Sequence, residues 1–212
     1  MSTYRELLLG CGHSREKRMT PMGTELTQYN VWQNLTTLDN NREVAPDVVC
    51  DLDTLYDWTF TDCPQGLRDL TESPTGRPYD LRFSDSVFDE VHAYEVLEHL
   101  GYQGNAPMLL NHFTQIWRIL KPNGYLCATV PSRYSPWLWG DPSHRRLINE
   151  ETLSFLDQDN YKQLDGPRPT SMSDFRGIYS ADFKIVERQD NHKQFFFILQ
   201  AVKPSRIRER IA

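Results

Sequence analysis

Two groups of residues in this chain stand where they could do chemistry. Gly10 and Gly12 follow the apolar run Leu7-Leu8-Leu9 directly, and Asp39 closes a second run, Thr37-Leu38-Asp39. A buried strand ending in closely spaced glycines lets the backbone bend sharply and approach a ligand whose space a side chain would take. An acid at the tip of the next strand can bind a pair of ribose hydroxyls, so the two features together describe a nucleoside pocket. Taken alone, Gly10-Cys11-Gly12 reads equally well as a strand-to-loop turn.

The second group is Asp141-Pro142-Ser143-His144-Arg145-Arg146, in a stretch that also carries Tyr134, Trp137 and Trp139. A histidine that titrates near neutrality could take a proton from a reacting group, and the tryptophans could wall an apolar pocket. The plainer reading pairs Asp141 with Arg145 or Arg146 to pin a loop, with the tryptophans covering the core. Glu95, at the end of a strand-like run, is placed for a ligand contact or for capping a helix that begins there. Glu98 and His99, one turn further on, are expected to be structural. Of the other histidines, His13 is expected near the ligand without chemistry of its own, His92 packed inside a strand, and His112 and His192 solvated.

The elements that must position these residues read as strands alternating with connections. The strand-like runs are Glu6 to Gly10, Leu35 to Asp39, Asp47 to Asp51, Phe88 to Tyr94 and Tyr125 to Val130; Val48-Val49-Cys50 is wholly apolar, as in strands covered on both faces. Leu109, Phe113, Ile116, Trp117 and Leu120 share one helical face, and Lys121-Pro122-Asn123-Gly124 ends that helix. Phe183 to Glu187 and Phe195 to Val202, joined by Gln189-Asp190-Asn191, read as an antiparallel pair. The expected fold is therefore α/β, a doubly wound sheet in three layers with an antiparallel C-terminal strand. It forms a single domain over 1–212 with long insertions at 54–78 and 131–180, and long loops in compact domains usually carry function.

Composition narrows the function classes. The chain has 212 residues, 39% of them apolar and 25% charged, enough to bury a real core. The net charge of -6 argues against a surface built to neutralise many phosphates, and the basic tail Lys203 to Arg210 reads as a solvated end. No apolar run approaches the roughly 20 residues that span a bilayer, and no signal-peptide pattern precedes the first strand, so a cytoplasmic location is expected. Cys11, Cys50, Cys63 and Cys127 form no Cys-x-x-Cys pair, which points to neither a disulfide framework nor a zinc site, and no other metal set is legible.

In order along residues 5 to 131, the motifs resemble those of the class I, Rossmann-like S-adenosylmethionine-dependent methyltransferases. Leu7-Leu8-Leu9-Gly10-Cys11-Gly12 is similar to the glycine-rich first motif, Leu38-Asp39 to the acidic second, and Pro46-Asp47-Val48-Val49-Cys50-Asp51-Leu52 to the third. Leu81-Arg82-Phe83-Ser84-Asp85-Ser86-Val87-Phe88-Asp89 resembles the run leading into strand four. Val96-Leu97-Glu98-His99-Leu100 and Ile119-Leu120-Lys121-Pro122-Asn123-Gly124-Tyr125-Leu126 resemble the segments after strand four and before strand five. The resemblance implies a seven-strand sheet and S-adenosylmethionine as cofactor. It places Gly10, Cys11, Gly12 and Ser14 around the methionine portion, Asp39 on the ribose, Asp51 and Leu52 at the adenine, and Glu95 at the cofactor edge or the acceptor.

This chain departs from the pattern in places. Ser14 replaces the third glycine, Asp39 lies 27 residues past Gly12 rather than about 20, and Pro21 and Gly23 break the helix expected between them. Asp80 rivals Asp51 for the adenine contact. Methyl transfer from a sulfonium asks the protein chiefly to position the acceptor and, for oxygen or nitrogen acceptors, to remove a proton, for which His144 and Glu95 are the candidates. No Asn/Asp-Pro-Pro-Tyr motif is present, Val130-Pro131-Ser132-Arg133 standing at the end of a strand instead, which lowers the case for base methylation. With the chain starting almost at its first strand, the insertions are expected to recognise the acceptor, a small molecule or sugar-like compound rather than nucleic acid. The alternatives are a non-catalytic methyltransferase-like scaffold or subunit and an NAD-dependent oxidoreductase, the latter disfavoured because Gly-x-Gly-x-x-Gly fails at Arg15. Nothing in the sequence specifies the oligomeric state.

Overall fold

The computed structural model describes residues 4–21, 31–53, 70–72, 81–165 and 167–207. Its strands, in chain order, are β1 (Glu6–Leu9), β2 (Leu35–Asp39), β3 (Val48–Val49), β4 (Leu70–Glu72), β5 (Leu81–Phe83), β6 (Phe88–Tyr94), β7 (Leu120–Pro131), β8 (Phe183–Asp190) and β9 (Gln194–Ala201). β4 and β5 form a separate antiparallel pair, and the other seven make one sheet in the order β3-β2-β1-β6-β7-β9-β8. Strands β3, β2, β1, β6 and β7 pair in parallel, and β9 runs against both of its neighbours. This is the expected Rossmann-like doubly wound sheet. The chain leaves β1 for β2 on one side and reaches β6 on the other, so a crevice opens beyond the carboxyl ends of β1, β2 and β6.

Alternation along the central strands divides the sheet into an apolar face and a polar one. Leu7 and Leu9 of β1 lie beside Val91 and Ala93 of β6, and all four are buried in the main core. That face is covered by α1 (Ala106–Ile119), which buries Leu110, Phe113, Ile116 and Ile119. The Asn105 side chain accepts from Met108 N at 3.1 Å and starts the helix, with Pro107 in its first turn, where a missing N–H costs nothing. Trp117 Nε1 donates to Val202 O at 3.1 Å and ties the helix to the far end of the sheet.

The opposite face carries Glu6, Glu90 and His92, all fully buried, with Tyr94. Residues 11–21, which are irregular rather than helical, lie over it and drive Lys17 between the two carboxylates. His92 Nε2 donates to Glu90 at 2.8 Å while Nδ1 meets the Tyr94 hydroxyl at 2.7 Å, and that hydroxyl accepts from Arg18 N and Met19 N. Glu6 also accepts from Gln33 N and Glu90 from Tyr4 Oη. Burial pushes the Glu90 carboxyl up, but hydrogen bonds from His92, Lys17 and Tyr4 outweigh it and hold the group at about 2. Each buried charge here is paired, as it must be away from water. A saturated network of this kind replaces the apolar contact an amphipathic helix would have made, and His92 packs within it.

Some boundaries differ from expectation. β7 begins at Leu120, immediately after α1, because Leu120 already pairs with Phe88; Lys121–Gly124 bulge out, with Asn123 at φ +63°, before regular pairing resumes at Tyr125. β8 runs through Gln189 and Asp190, so the hairpin turn is Asn191-His192-Lys193, where Asn191 Oδ1 accepts from Lys193 N and Gln194 N. The basic C-terminal segment is not a frayed end over residues 203–207. Lys203 Nζ donates to Arg118 O and Leu120 O, and Arg206 pairs with Asp157, Asp159 and Asp182. Cys11, Cys50 and Cys127 are buried. Cys63, Asp80 and most of the 54–78 insertion lie outside the described residues. Among the described residues no helix is long and apolar enough to cross a membrane.

Candidate functional site

The turn after β1 is shaped by its glycines. Gly10 has φ +58°, and a Cβ there would stand 2.4 Å from Val96 Cγ2, so both its backbone and its surroundings exclude a side chain. Gly12, at φ +51°, presents its N–H to Asp39 Oδ2 at 2.8 Å, and Cys11 N donates to Leu38 O at 3.2 Å. The other Asp39 oxygen accepts from Asn41 N at 2.9 Å. The acid at the tip of β2 thus clamps the glycine turn before it meets any ligand.

A cavity of about 320 Å³ opens at this point, and Gly10, Asp39, Asp51, Leu52, Glu95 and His99 are among its lining residues. Five expected binding positions, Gly10, Asp39, Asp51, Leu52 and Glu95, therefore converge there. Gly12 and Ser14 do not line it: Gly12 stands behind Asp39 and Ser14 is exposed. The Cys11 side chain is buried instead with Leu8 and Tyr94, where burial raises its thiol above the ordinary range. His13 is exposed.

Glu95 sits at φ +57°, its N–H donating to Thr129 O at 2.9 Å and its carboxylate accepting from Gln194 Nε2 at 3.0 Å. It does not cap a helix: the single turn Leu97–His99 that follows has Val96 at its N-cap and no side-chain cap. Glu98 in that turn is fully buried, and neither carboxylate oxygen has a hydrogen-bond partner. Burial, with the charges of Glu95 and Asp141, pushes its carboxyl up to about 8.

His144 reaches this acid from the far side. Its Nε2 lies 4.0 Å from Glu98 Oε1, as does that of His99, and the two rings meet edge to face with centroids 4.8 Å apart. Each ring turns its Nδ1 to a carbonyl, His144 to Leu138 O at 3.1 Å and His99 to Ser143 O at 3.2 Å. The sequence pattern picked out His144 as reactive and Glu98-His99 as structural, whereas the fold assembles all three beside the cavity. Their separation of some 45 residues in the chain hides the cluster from any spacing rule.

The neighbouring expectations need correction. Arg145 and Arg146 do not pair with Asp141. Their backbone N–H groups donate to Glu98 O, Arg145 pairs with Asp53, and buried Arg146 donates to Leu100 O at 2.6 Å and Tyr102 O at 3.1 Å. Asp141 accepts from Ser143 and turns its own loop. Trp137 and Trp139 neither wall the cavity nor cover the core. The short helix α2 (Trp137–Gly140) buries only Leu138, so the tryptophans on either side point outward, 69% and 61% exposed. His112 is not solvated but buried in α1, where desolvation and the Arg146 charge push it down to about 4. Asp53, which accepts from Gly101 N as well as from Arg145, links the third-strand loop to the segment after β6, and no motif announced it.

A family model described as a methyltransferase domain matches residues 7–128 of the chain. A search of curated protein sequences finds no significant match. Among solved structures, a SAM-dependent methyltransferase from Archaeoglobus fulgidus is 13% identical, with 93% of this chain and 86% of that one covered at a TM-score of 0.47. The N-methyltransferase NodS from Bradyrhizobium japonicum WM9, in complex with S-adenosyl-l-homocysteine, is 12% identical over 94% of this chain and 79% of that one, TM-score 0.49. An S-adenosylmethionine-dependent methyltransferase from Clostridium acetobutylicum ATCC 824 is 11% identical over 94% and 85%, TM-score 0.49. At these identities the likeness is one of fold.

Proposed function

Because the chain belongs to the methyltransferase-domain family and uses S-adenosylmethionine, we propose that it methylates a small-molecule or sugar-like acceptor seated at the Glu95 and His99 side of its cavity. One observation carries this reading: a single cavity at the reversal point of the sheet joins Gly10, Asp39, Asp51 and Leu52 to Glu95 and His99. Its volume of about 320 Å³ falls in the range of small-molecule sites.

The residues fit the cofactor. A carboxylate offers about four lone-pair positions, and Asp39 spends two of its own on Gly12 and Asn41, leaving acceptors for two ribose hydroxyls. Asp51 and Leu52 would face the adenine and the open backbone at Gly10 the methionine portion, with Cys11, Gly12 and Ser14 shaping the loop behind. S-adenosylmethionine supplies an electrophilic methyl group that leaves by in-line displacement. The chain's own task is to exclude water, orient the acceptor and prepare it for attack. Glu95, held by Gln194, would orient the acceptor, and the cluster that contains His144 would prepare it.

Exposed Trp137 and Trp139 flank Leu138, whose carbonyl holds His144, so flat apolar surfaces lie next to a polar cluster. That combination supports an acceptor with apolar ring faces and hydroxyls. The net charge of -6 supports it over duplex nucleic acid. A thermal-shift titration with S-adenosylmethionine, S-adenosylhomocysteine and NAD tests the cofactor pocket. Ligand at 100 times its dissociation constant should add about 2.7 kcal/mol, a rise of roughly 5 to 10 °C for a chain of this size. A shift with both adenosyl ligands and none with NAD is the expected result; the absence of any shift would leave only a scaffold.

A further inference from the structure

We propose that Glu98, His99 and His144 form a site for a divalent first-row transition cation whose open positions take an oxygen of the acceptor. The inference rests on the methyltransferase reading above and deepens it by naming how the acceptor is held. Each of the three side chains offers one ligand atom, and these atoms all lie within 4.8 Å of one another.

The hydrogen bonds around the cluster argue for a cation. Nδ1 of His144 and Nδ1 of His99 each face a backbone carbonyl, contacts that require an N–H there and leave a lone pair on Nε2. Both Nε2 atoms then point at a buried carboxylate that has no donor of its own. With Glu98 ionised, three acceptors converge with nothing donating between them, and a cation can take the place of the proton that the buried carboxyl otherwise holds. Backbone carbonyls that orient an imidazole through its other nitrogen are also the usual support of a histidine ligand.

Distances and access agree. A cation with bonds of about 2.1 Å wants its ligand atoms roughly 3.0 to 3.4 Å apart. The two histidine-to-Glu98 separations are each 4.0 Å and no pair of ligand atoms exceeds 4.8 Å, so the three side chains must close on the cation by about 1 to 2 Å. Two imidazoles and one carboxylate suit manganese, iron, cobalt or zinc, and three protein ligands leave coordination positions free. The side chains of Glu98 and His144 are 0% and 8% exposed, whereas that of His99 is 37% exposed and lines the cavity, so the open side faces the proposed acceptor position.

The same proximity test also selects Glu6, Glu90 and His92. There Lys17 sits between the carboxylates, His92 Nε2 donates to Glu90, and the Tyr94 hydroxyl serves Nδ1. That cluster already contains its cation, and the Glu98 cluster does not.

The test uses chelator-treated full-length protein titrated with Mn²⁺ by calorimetry and with Co²⁺ by visible absorption, with S-adenosylhomocysteine binding measured on the same samples. One cation per chain is expected, weakened at least tenfold by Glu98→Gln and by His144→Gln while S-adenosylhomocysteine affinity stays within about twofold. Should either variant fail to fold, selective Mn²⁺ broadening of the His99 and His144 ring protons in unaltered protein, sparing His13 and His192, supports the site equally. No cation binding below millimolar, or equal binding in both variants, overturns the site while S-adenosylhomocysteine binding leaves the methyltransferase reading standing. Loss of S-adenosylhomocysteine binding in the unaltered protein would instead count against that reading.

Discussion

Gly12 N donates to the Asp39 carboxylate at 2.8 Å, across 27 residues of chain, so the acid expected on a ribose also holds the glycine turn in shape. Asp39→Ala should therefore lose two effects at once. Melting should show a cost of about 1 to 3 kcal/mol for the unpartnered Gly12 and Asn41 N–H groups, and S-adenosylhomocysteine titration should show no saturable binding. Asp39→Asn, which keeps one acceptor oxygen, should recover part of the stability and little of the affinity. An Asp39→Ala protein that binds normally would remove this residue from the cofactor site.

Gly10→Ala introduces a Cβ 2.4 Å from Val96 Cγ2 at a φ of +58°. The left-handed backbone costs a side-chain residue about 1 to 2 kcal/mol before any clash. Adding Val96→Ala should recover the steric share and leave the backbone share, which a pair of denaturant melts would separate. Full recovery in the double variant would mean that the conformation itself carries no cost.

Lys17 sits between two fully buried carboxylates, with His92 neutral beside it. Removing one member of a buried ion cluster usually costs about 3 to 5 kcal/mol, because the charges left behind stay out of water. Lys17→Met should fall in that range by urea unfolding. A neutral outcome would show that water reaches the face beneath residues 11–21.

His112 has a folded pKa of about 4 against an ordinary value of 6.5, because it is buried in α1 near Arg146. The unfolded chain then binds more protons between those values, so stability falls as pH drops through the window, by about 3 kcal/mol over its full width. Urea melts at pH 7, 5.5 and 4 should show a steeper loss for the natural chain than for His112→Leu. Parallel pH profiles for the two would place the imidazole in contact with water.

Trp137 and Trp139 are mostly exposed beside the segment that holds His144. Alanine at either position should leave the melting temperature within about 1 °C, as surface changes do. With an acceptor found by screening, KM for that acceptor should rise several-fold while S-adenosylhomocysteine affinity holds. An unchanged KM would move the acceptor away from α2.

Local pattern was enough for much of this molecule. The apolar runs at Leu7–Leu9 and Phe88–Tyr94 and the helical face from Leu109 to Ile119 are periodic signals, and burying them against one another leaves few topologies. The glycine turn and the acid of β2 were legible for the same reason, since each is a constraint on one stretch of backbone. His112 and the two tryptophans were misjudged because their exposure depends on what a distant segment places against them: Arg146 over α1 in one case, the burial of Leu138 alone in the other.

Sequence alone determined the apolar runs that become strands, the glycine turn after β1 and the acid that ends β2, each set by a few consecutive residues. Tertiary structure alone decided that Lys17 would neutralise the polar face of the sheet, and that His144 would arrive beside Glu98 and His99 with its free nitrogen turned inward. Those contacts join residues far apart in the chain, and their energies depend on burial and on the direction of each donor and acceptor, neither of which exists until the chain has closed.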